Sequence, residues 1–149
     1  MFIFKNGCTF EQNGVEITVP ANFSIDGDPV DFAENWLTFM PPDKGYIVIY
    51  GMNYNSRGTR EELYDLVYDE SNPDRILSPI EEIENNGLAG HQTTYIGIKW
   101  QIYEARFSVE QTDDVFIEFV VIVKTENHDI EKIKASPEFK QIFRGIRRI

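Results

Sequence analysis

The chain has 149 residues, 42% of them hydrophobic and 13% aromatic, which is the composition of one globular domain and excludes a disordered chain. At that length roughly 70% of the unfolded surface is buried on folding, so neither disulfides nor a metal is needed for stability. A net charge of −11 argues against nucleic acids and anionic membranes as partners, because both are polyanions.

Phe2–Phe4 and Cys8–Phe10 are short aromatic runs followed by the turn dipeptides Asn6-Gly7 and Asn13-Gly14. Val15, Ile17 and Val19 alternate with Glu16 and Thr18, the period of a half-buried strand that Pro20 ends. Phe23-Ser24-Ile25 and Trp36 to Met40 are strand-like, with an Asp-rich loop between them. Tyr46 to Tyr50 is apolar on both faces, which predicts a strand near the middle of a sheet.

Thr59-Arg60-Glu61-Glu62 has the spacing of a capping box, so a helix is predicted from Thr59 to a stop at Asn72-Pro73, with Leu63, Leu66 and Val67 as its apolar stripe. Residues 76–86 fit either a helix starting at Ser78-Pro79 or a strand turning at Asn86-Gly87. In the following stretch Ile96, Ile98, Trp100 and Ile102 share one parity, whereas Tyr103, Ala105, Phe107 and Val109 share the other. A side-chain period of 2 changes parity only through a turn near residues 97–99 or a bulge between Trp100 and Tyr103. Thr112-Asp113-Asp114 reads as a turn, and Val115 to Val123, broken only by Glu118, is the expected sheet centre. Asp129 is positioned to cap a short helical turn, and Ser136-Pro137-Glu138 to start a second one carrying Phe139, Ile142, Phe143 and Ile146 on one face. Arg144, Arg147 and Arg148 are expected at its negative end.

Chemical signatures are few. Cys8 is the only cysteine, which rules out an internal disulfide, and no His or basic group beside it in sequence activates it as a nucleophile. His91 and His128 lie far apart, and His128 reads as an exposed loop residue. Asp26, Asp28 and Asp31 resemble a fragment of a calcium loop, but Gly27 falls at the second position and Leu37 at the twelfth, so a solvated turn is expected and no metal. Gly87, Gly90 and Gly97 do not have phosphate-loop spacing, and no Gly-x-Ser-x-Gly elbow is present. No catalytic residue and no cofactor is expected. Tyrosine and tryptophan join an apolar body to a polar tip, which suits interfaces. Tyr64 and Tyr68, four apart on the predicted helix, together with Tyr54 and Trp100, are the candidate binding residues.

Three segments resemble the PsbP-like family, which includes the DcrB-type bacterial proteins. Gly14-Val15-Glu16-Ile17-Thr18-Val19-Pro20-Ala21-Asn22-Phe23 is similar to its opening strand-and-Pro segment, with Phe23 where a tryptophan is common. Asn86-Gly87-Leu88-Ala89-Gly90-His91 resembles the turn before its long meander, which favours a strand for residues 80–85. Phe139 to Arg147 resembles its closing helix, with Gly145 where a serine is common. The resemblance implies an α+β fold: an antiparallel sheet of about six strands with helices on both faces, an α/β/α sandwich. It also implies no enzymatic activity. Relatives serve as accessory proteins: a photosystem subunit, a release factor for a small nuclear GTPase, and chaperones of secreted effectors.

The expectation is a bacterial accessory or protein-binding module whose partner is another protein or a second copy. An acidic inhibitor of a basic partner and a small-molecule binder are the alternatives. MFIFKNGCTF is neither a signal peptide nor a membrane span, so the chain reads as cytoplasmic, or as exported if a leader has been removed.

Overall fold

A computed structural model describes residues 2–25, 36–43, 45–68 and 75–149. The fold is α+β and almost entirely antiparallel. Its strands are β1 (Phe2–Phe4), β2 (Cys8–Gln12), β3 (Val15–Val19), β4 (Phe23–Ile25), β5 (Trp36–Met40), β6 (Ile47–Asn53), β7 (Ile76–Asn85), β8 (Leu88–Ile96), β9 (Gln101–Gln111), β10 (Phe116–Thr125) and β11 (Ile146–Arg148). Its helices are α1 (Thr59–Val67), α2 (Ile130–Lys134) and α3 (Pro137–Arg144). Among the described residues no helix is long and apolar enough to cross a membrane.

The main sheet has eight strands in the order β1-β4-β5-β6-β10-β9-β8-β7, and β11-β3-β2 form a second sheet. The expected six strands are therefore corrected to eight plus three. The difference has a local cause: the short N-terminal runs pair with distant partners, β1 with β4 and β3 with β11. β6 and β10 are central, as their two-sided apolarity predicts. The parity change falls at a turn, where the Gly97 N–H donates to the Trp100 carbonyl at 2.7 Å. Residues 76–85 form a strand that turns through Asn86 (φ 49°) and Gly87 (φ 87°), the left-handed pair of a two-residue hairpin. β7 is an edge strand carrying Pro79, register shifts and exposed Glu81, Glu82 and Glu84, all of which discourage pairing with another chain.

The chain after α3 departs from the expected helix. Its cap residue is Gly145, whose carbonyl accepts from the Thr18 N–H at 2.7 Å, and a Cβ there would meet the Thr18 oxygen at 2.2 Å. The backbone leaves the helix at this close approach, and Ile146, Arg147 and Arg148 pair with β3 instead of extending α3. The two expected caps form: Asp129 Oδ1 accepts from the Glu131 N–H and Ser136 Oγ from the Phe139 N–H.

Antiparallel register partners share a face. One face of the main sheet carries Leu37, Phe39, Val48, Tyr50, Tyr103, Phe107, Phe119 and Val121, and it is closed by β3, β11, α2 and α3 through Val15, Ile17, Ile130, Ile142 and Ile146. The second sheet thus occupies space that the sandwich expectation gave to helices. α1 packs against β7, β8 and β9. In the core the Tyr50 ring meets Phe39 edge-on at 5.7 Å, but its buried hydroxyl has no hydrogen-bond partner among the described residues. Tyr50→Phe is accordingly expected to raise stability by about 1 kcal/mol in urea titrations, because it removes an unsatisfied buried hydroxyl and leaves the ring in place.

Candidate interaction surface

α1 starts differently from the predicted capping box. Gly58, with φ 133°, is the cap residue and makes no side-chain cap bond. The Thr59 hydroxyl is instead bonded to His91 Nδ1 at 2.7 Å, which pins the helix start to β8. Glu62 reaches back two residues further than expected and accepts from the Arg57 N–H at 3.0 Å. Leu63 and Val67 are fully buried against the sheet, whereas Leu66 is exposed, so the apolar stripe is narrower than predicted.

The outward face follows from the same spacing. Arg60, Tyr64 and Tyr68 recur every four residues and line one side of the helix. Tyr64 and Tyr68 stack with centroids 4.6 Å apart and planes 23° apart, and the Arg60 guanidinium lies 5.9 Å from the Tyr64 ring. They are 46% and 39% exposed, a large aromatic area left in water. Stacking holds both rings in one orientation, which lowers the entropy lost when a partner covers them.

Beneath α1 the sheet carries buried charge. His91 pairs in register with Arg106, so both lie on the face that α1 covers. Arg106 Nε donates to Glu104 Oε2 at 2.6 Å, and its Nη1 donates to Glu118 Oε1. Asn53 also donates to Glu118 Oε1 at 2.9 Å, and the Tyr95 hydroxyl donates to Glu104 Oε1 at 3.0 Å. Glu118 is fully buried, and its Oε2 has no well-directed partner among the described residues. Burial therefore pushes the Glu118 carboxyl above its ordinary value, against the opposing pull of Arg106, Asn53 and Ser56. Burial also works against the Arg106 charge, but Glu104 and Glu118 more than offset it and its pKa rises. The network gives α1 a rigid, polar-anchored base.

No protein-family model and no curated protein sequence matches this chain. Solved structures do match. Cyanobacterial PsbP (CyanoP) from Synechocystis sp. PCC 6803 superposes with a TM-score of 0.56 at 11% identity, over 100% of this chain and 95% of that one. The chain has a PsbP-like fold. A crystal structure from Bacteroides thetaiotaomicron VPI-5482 superposes with a TM-score of 0.53 at 10% identity, over 97% of this chain and 49% of that one, so the chain spans about half the length of that protein. At these identities the likeness speaks for the fold alone.

Within the PsbP-like frame the four candidate aromatics do not form one patch. Tyr54 lies in the turn after β6, where its hydroxyl accepts from Asn13 Nδ2 at 2.7 Å. Trp100 sits in the β8–β9 turn with Lys124 Nζ at 4.7 Å and Lys99 Nζ at 5.5 Å from its ring. Only Tyr64 and Tyr68 are brought together. Arg60, the third member of their face, was readable from its four-residue spacing. The Glu104-Arg106-Glu118 network was signalled by Glu118 alone, a charge inside the most apolar strand.

The histidines stand in two separate clefts. His91 lines one of about 750 Å³ at the start of α1, with Thr59, Arg57 and Glu82 among its walls, yet Thr59 is only 6% exposed and its hydroxyl is engaged in anchoring the helix. His128 is exposed, as expected, and lines a cleft of about 560 Å³ in which the Tyr46 hydroxyl donates to Glu138 Oε1. Its ring packs over Gly45, where an added Cβ would meet Nε2 at 2.8 Å. Among the described residues no group of three His, Cys, Asp or Glu is placed to hold a metal ion. The Asp26, Asp28 and Asp31 loop lies outside the described residues, as does the Asn72-Pro73 helix stop.

Burial pushes the Cys8 thiol up to about 11. Its thiolate fraction at pH 8 should then be at least about a hundredfold below that of free cysteine, and iodoacetamide should label the native chain correspondingly slowly. Labelling at the rate of a free thiol would show that Cys8 is neither buried nor shifted.

Proposed function

We propose that this chain is a non-catalytic accessory module, akin to the DcrB-type bacterial proteins, that binds another protein through the outer face of α1. The observation that carries this reading is the exposed Tyr64–Tyr68 stack with Arg60 alongside. Tyrosine and arginine are enriched at the energetic centres of protein interfaces, and this pair is already ordered before a partner arrives. The helix that presents them is fixed from below by Thr59, His91 and the buried charges, which suits a rigid recognition face.

A tagged chain retained on beads and exposed to host extract tests the reading, with the Tyr64→Ala/Tyr68→Ala chain run in parallel at low and high salt. A protein retained in high salt by the native chain and lost with the double variant supports the α1 face. A basic protein held equally by both chains and released by salt would favour the acidic-inhibitor reading, which the −11 charge and the exposed acids of β7 recommend. Sedimentation of the native chain separates self-association from either.

A further inference from the structure

We propose that the cleft between α3 and the β7–β8 hairpin binds an organic carboxylate with an apolar body. Among the described residues that line it none belongs to α1, so it does not depend on the interaction surface. The cleft encloses about 390 Å³, at the small end of the range for ligand sites.

Its wall is aromatic. Tyr103 meets Phe139 at 5.1 Å and Phe143 at 5.7 Å, both edge-on, and Phe139 and Phe143 lie 5.0 Å apart. Around that wall stand three cations, Lys134, Lys140 and Arg144, against the single acid Glu84. A net positive cleft is unusual in a chain of charge −11. Lys134 Nζ is held at 2.9 Å from Thr94 Oγ1 and 5.5 Å from the Tyr103 ring centre, with Glu131 at 3.5 Å partly meeting its charge. Lys140 and Arg144 have no ion-pair partner among the described residues. Gln92 accepts the Tyr103 hydroxyl proton through Oε1, which leaves its amide N–H groups to donate.

The donors thus sit beside an apolar wall and await an acceptor. A guanidinium with an ammonium one turn away on α3 suits a carboxylate, and the three rings suit a phenyl or branched alkyl body. An amine would meet three like charges and is excluded on the same ground.

The same chemistry is offered by a free aromatic acid and by the C-terminal carboxylate of a peptide. The test is a titration of the ¹⁵N-labelled full chain with 3-phenylpropionate, 3-phenylpropanamide and N-acetylphenylalanine, followed by amide shifts. The expected result is saturable shifts confined to residues 134–144 and the β7–β8 hairpin, with the carboxylates binding at least about tenfold tighter than the neutral amide. Arg144→Gln and Lys140→Gln, tested separately so that one misfolding variant does not decide the matter, should each weaken carboxylate binding at least about threefold and leave the amide unaffected. Tighter binding of N-acetylphenylalanine assigns the site to peptide termini, and tighter binding of 3-phenylpropionate assigns it to free acids. Equal affinity for acid and amide, shifts scattered over the surface, or no saturation by about 10 mM would overturn the proposal.

Discussion

Replacing Arg106 with alanine is expected to lower the stability of the folded chain by about 3–5 kcal/mol. The side chain is 11% exposed and sits between Glu104 at 2% and Glu118 at 0%. Removing it leaves two carboxylates within one buried region, with the Tyr95 hydroxyl, the Asn53 amide and the Ser56 hydroxyl as the remaining donors among the described residues. A domain of ordinary stability holds about 5–15 kcal/mol in total, so this single change takes a large part of the margin. The cost belongs to the broken pairing and not to any large net gain from the intact one. Glu104→Gln/Arg106→Met/Glu118→Met, which removes all three charges together, should therefore be far less harmful than Arg106→Ala. Urea titration of the two variants checks this, and a loss below about 1 kcal/mol for Arg106→Ala would show that water reaches the network.

The same network sets a pH signature. The folded-state pKa of Glu118 lies above its ordinary value of 4.5. A carboxyl shifted upwards favours the folded state in its protonated form, so its contribution is present below that value and is lost as pH rises through the folded one. The stability of the native chain relative to Glu118→Gln should thus decline from about pH 4 towards neutrality.

Gly90→Ala is the second large effect, expected at about 3 kcal/mol and a Tm lower by roughly 6–12 °C. Gly90 faces Phe107 in the β8–β9 ladder, and a Cβ there would lie 1.9 Å from the Arg106 carbonyl oxygen and 2.8 Å from the Phe107 Cα. Both obstacles are backbone, so no rotamer relieves the clash. β8 has to move away from β9, which disturbs the next pair in register, His91 with Arg106, and with it the anchor of α1. Thermal unfolding of the variant checks the size of the effect. A Tm within about 2 °C of the native chain would mean that the two strands separate at little cost.

How far each element could be read from sequence depended on whether its cause was local. The Asp129 and Ser136 caps are set by residues within a few positions of the feature, and both stand where the pattern puts them. The parity change required a turn near residues 97–99 or a bulge between Trp100 and Tyr103, and the turn is what forms, whereas the Asn86-Gly87 turn was one of two readings of residues 76–86. The second sheet was not legible, because it joins β3 to residues 146–148 at the far end of the chain. Ile146 fits the helical spacing of Phe139 and Ile142 equally well, and only contact with Thr18 sends it into a strand. The capping box failed for a similar reason: the Thr59 hydroxyl found His91, 32 residues away, a better partner than its own helix. Tyr64 and Tyr68 were legible as a pair by their spacing. Tyr54 and Trp100 share the same chemistry, but the fold separates them, and composition carries no information about distance.

The affinity of a purified partner for the native chain and for Tyr64→Ala/Tyr68→Ala decides whether the outer face of α1 is the interface. Binding at least about 30-fold weaker is expected for the double variant, with unchanged Tm and circular dichroism, because two aromatic anchors are lost from a surface that does not hold the fold together. A dissociation constant within about twofold of the native value would contradict it and move the interface off α1.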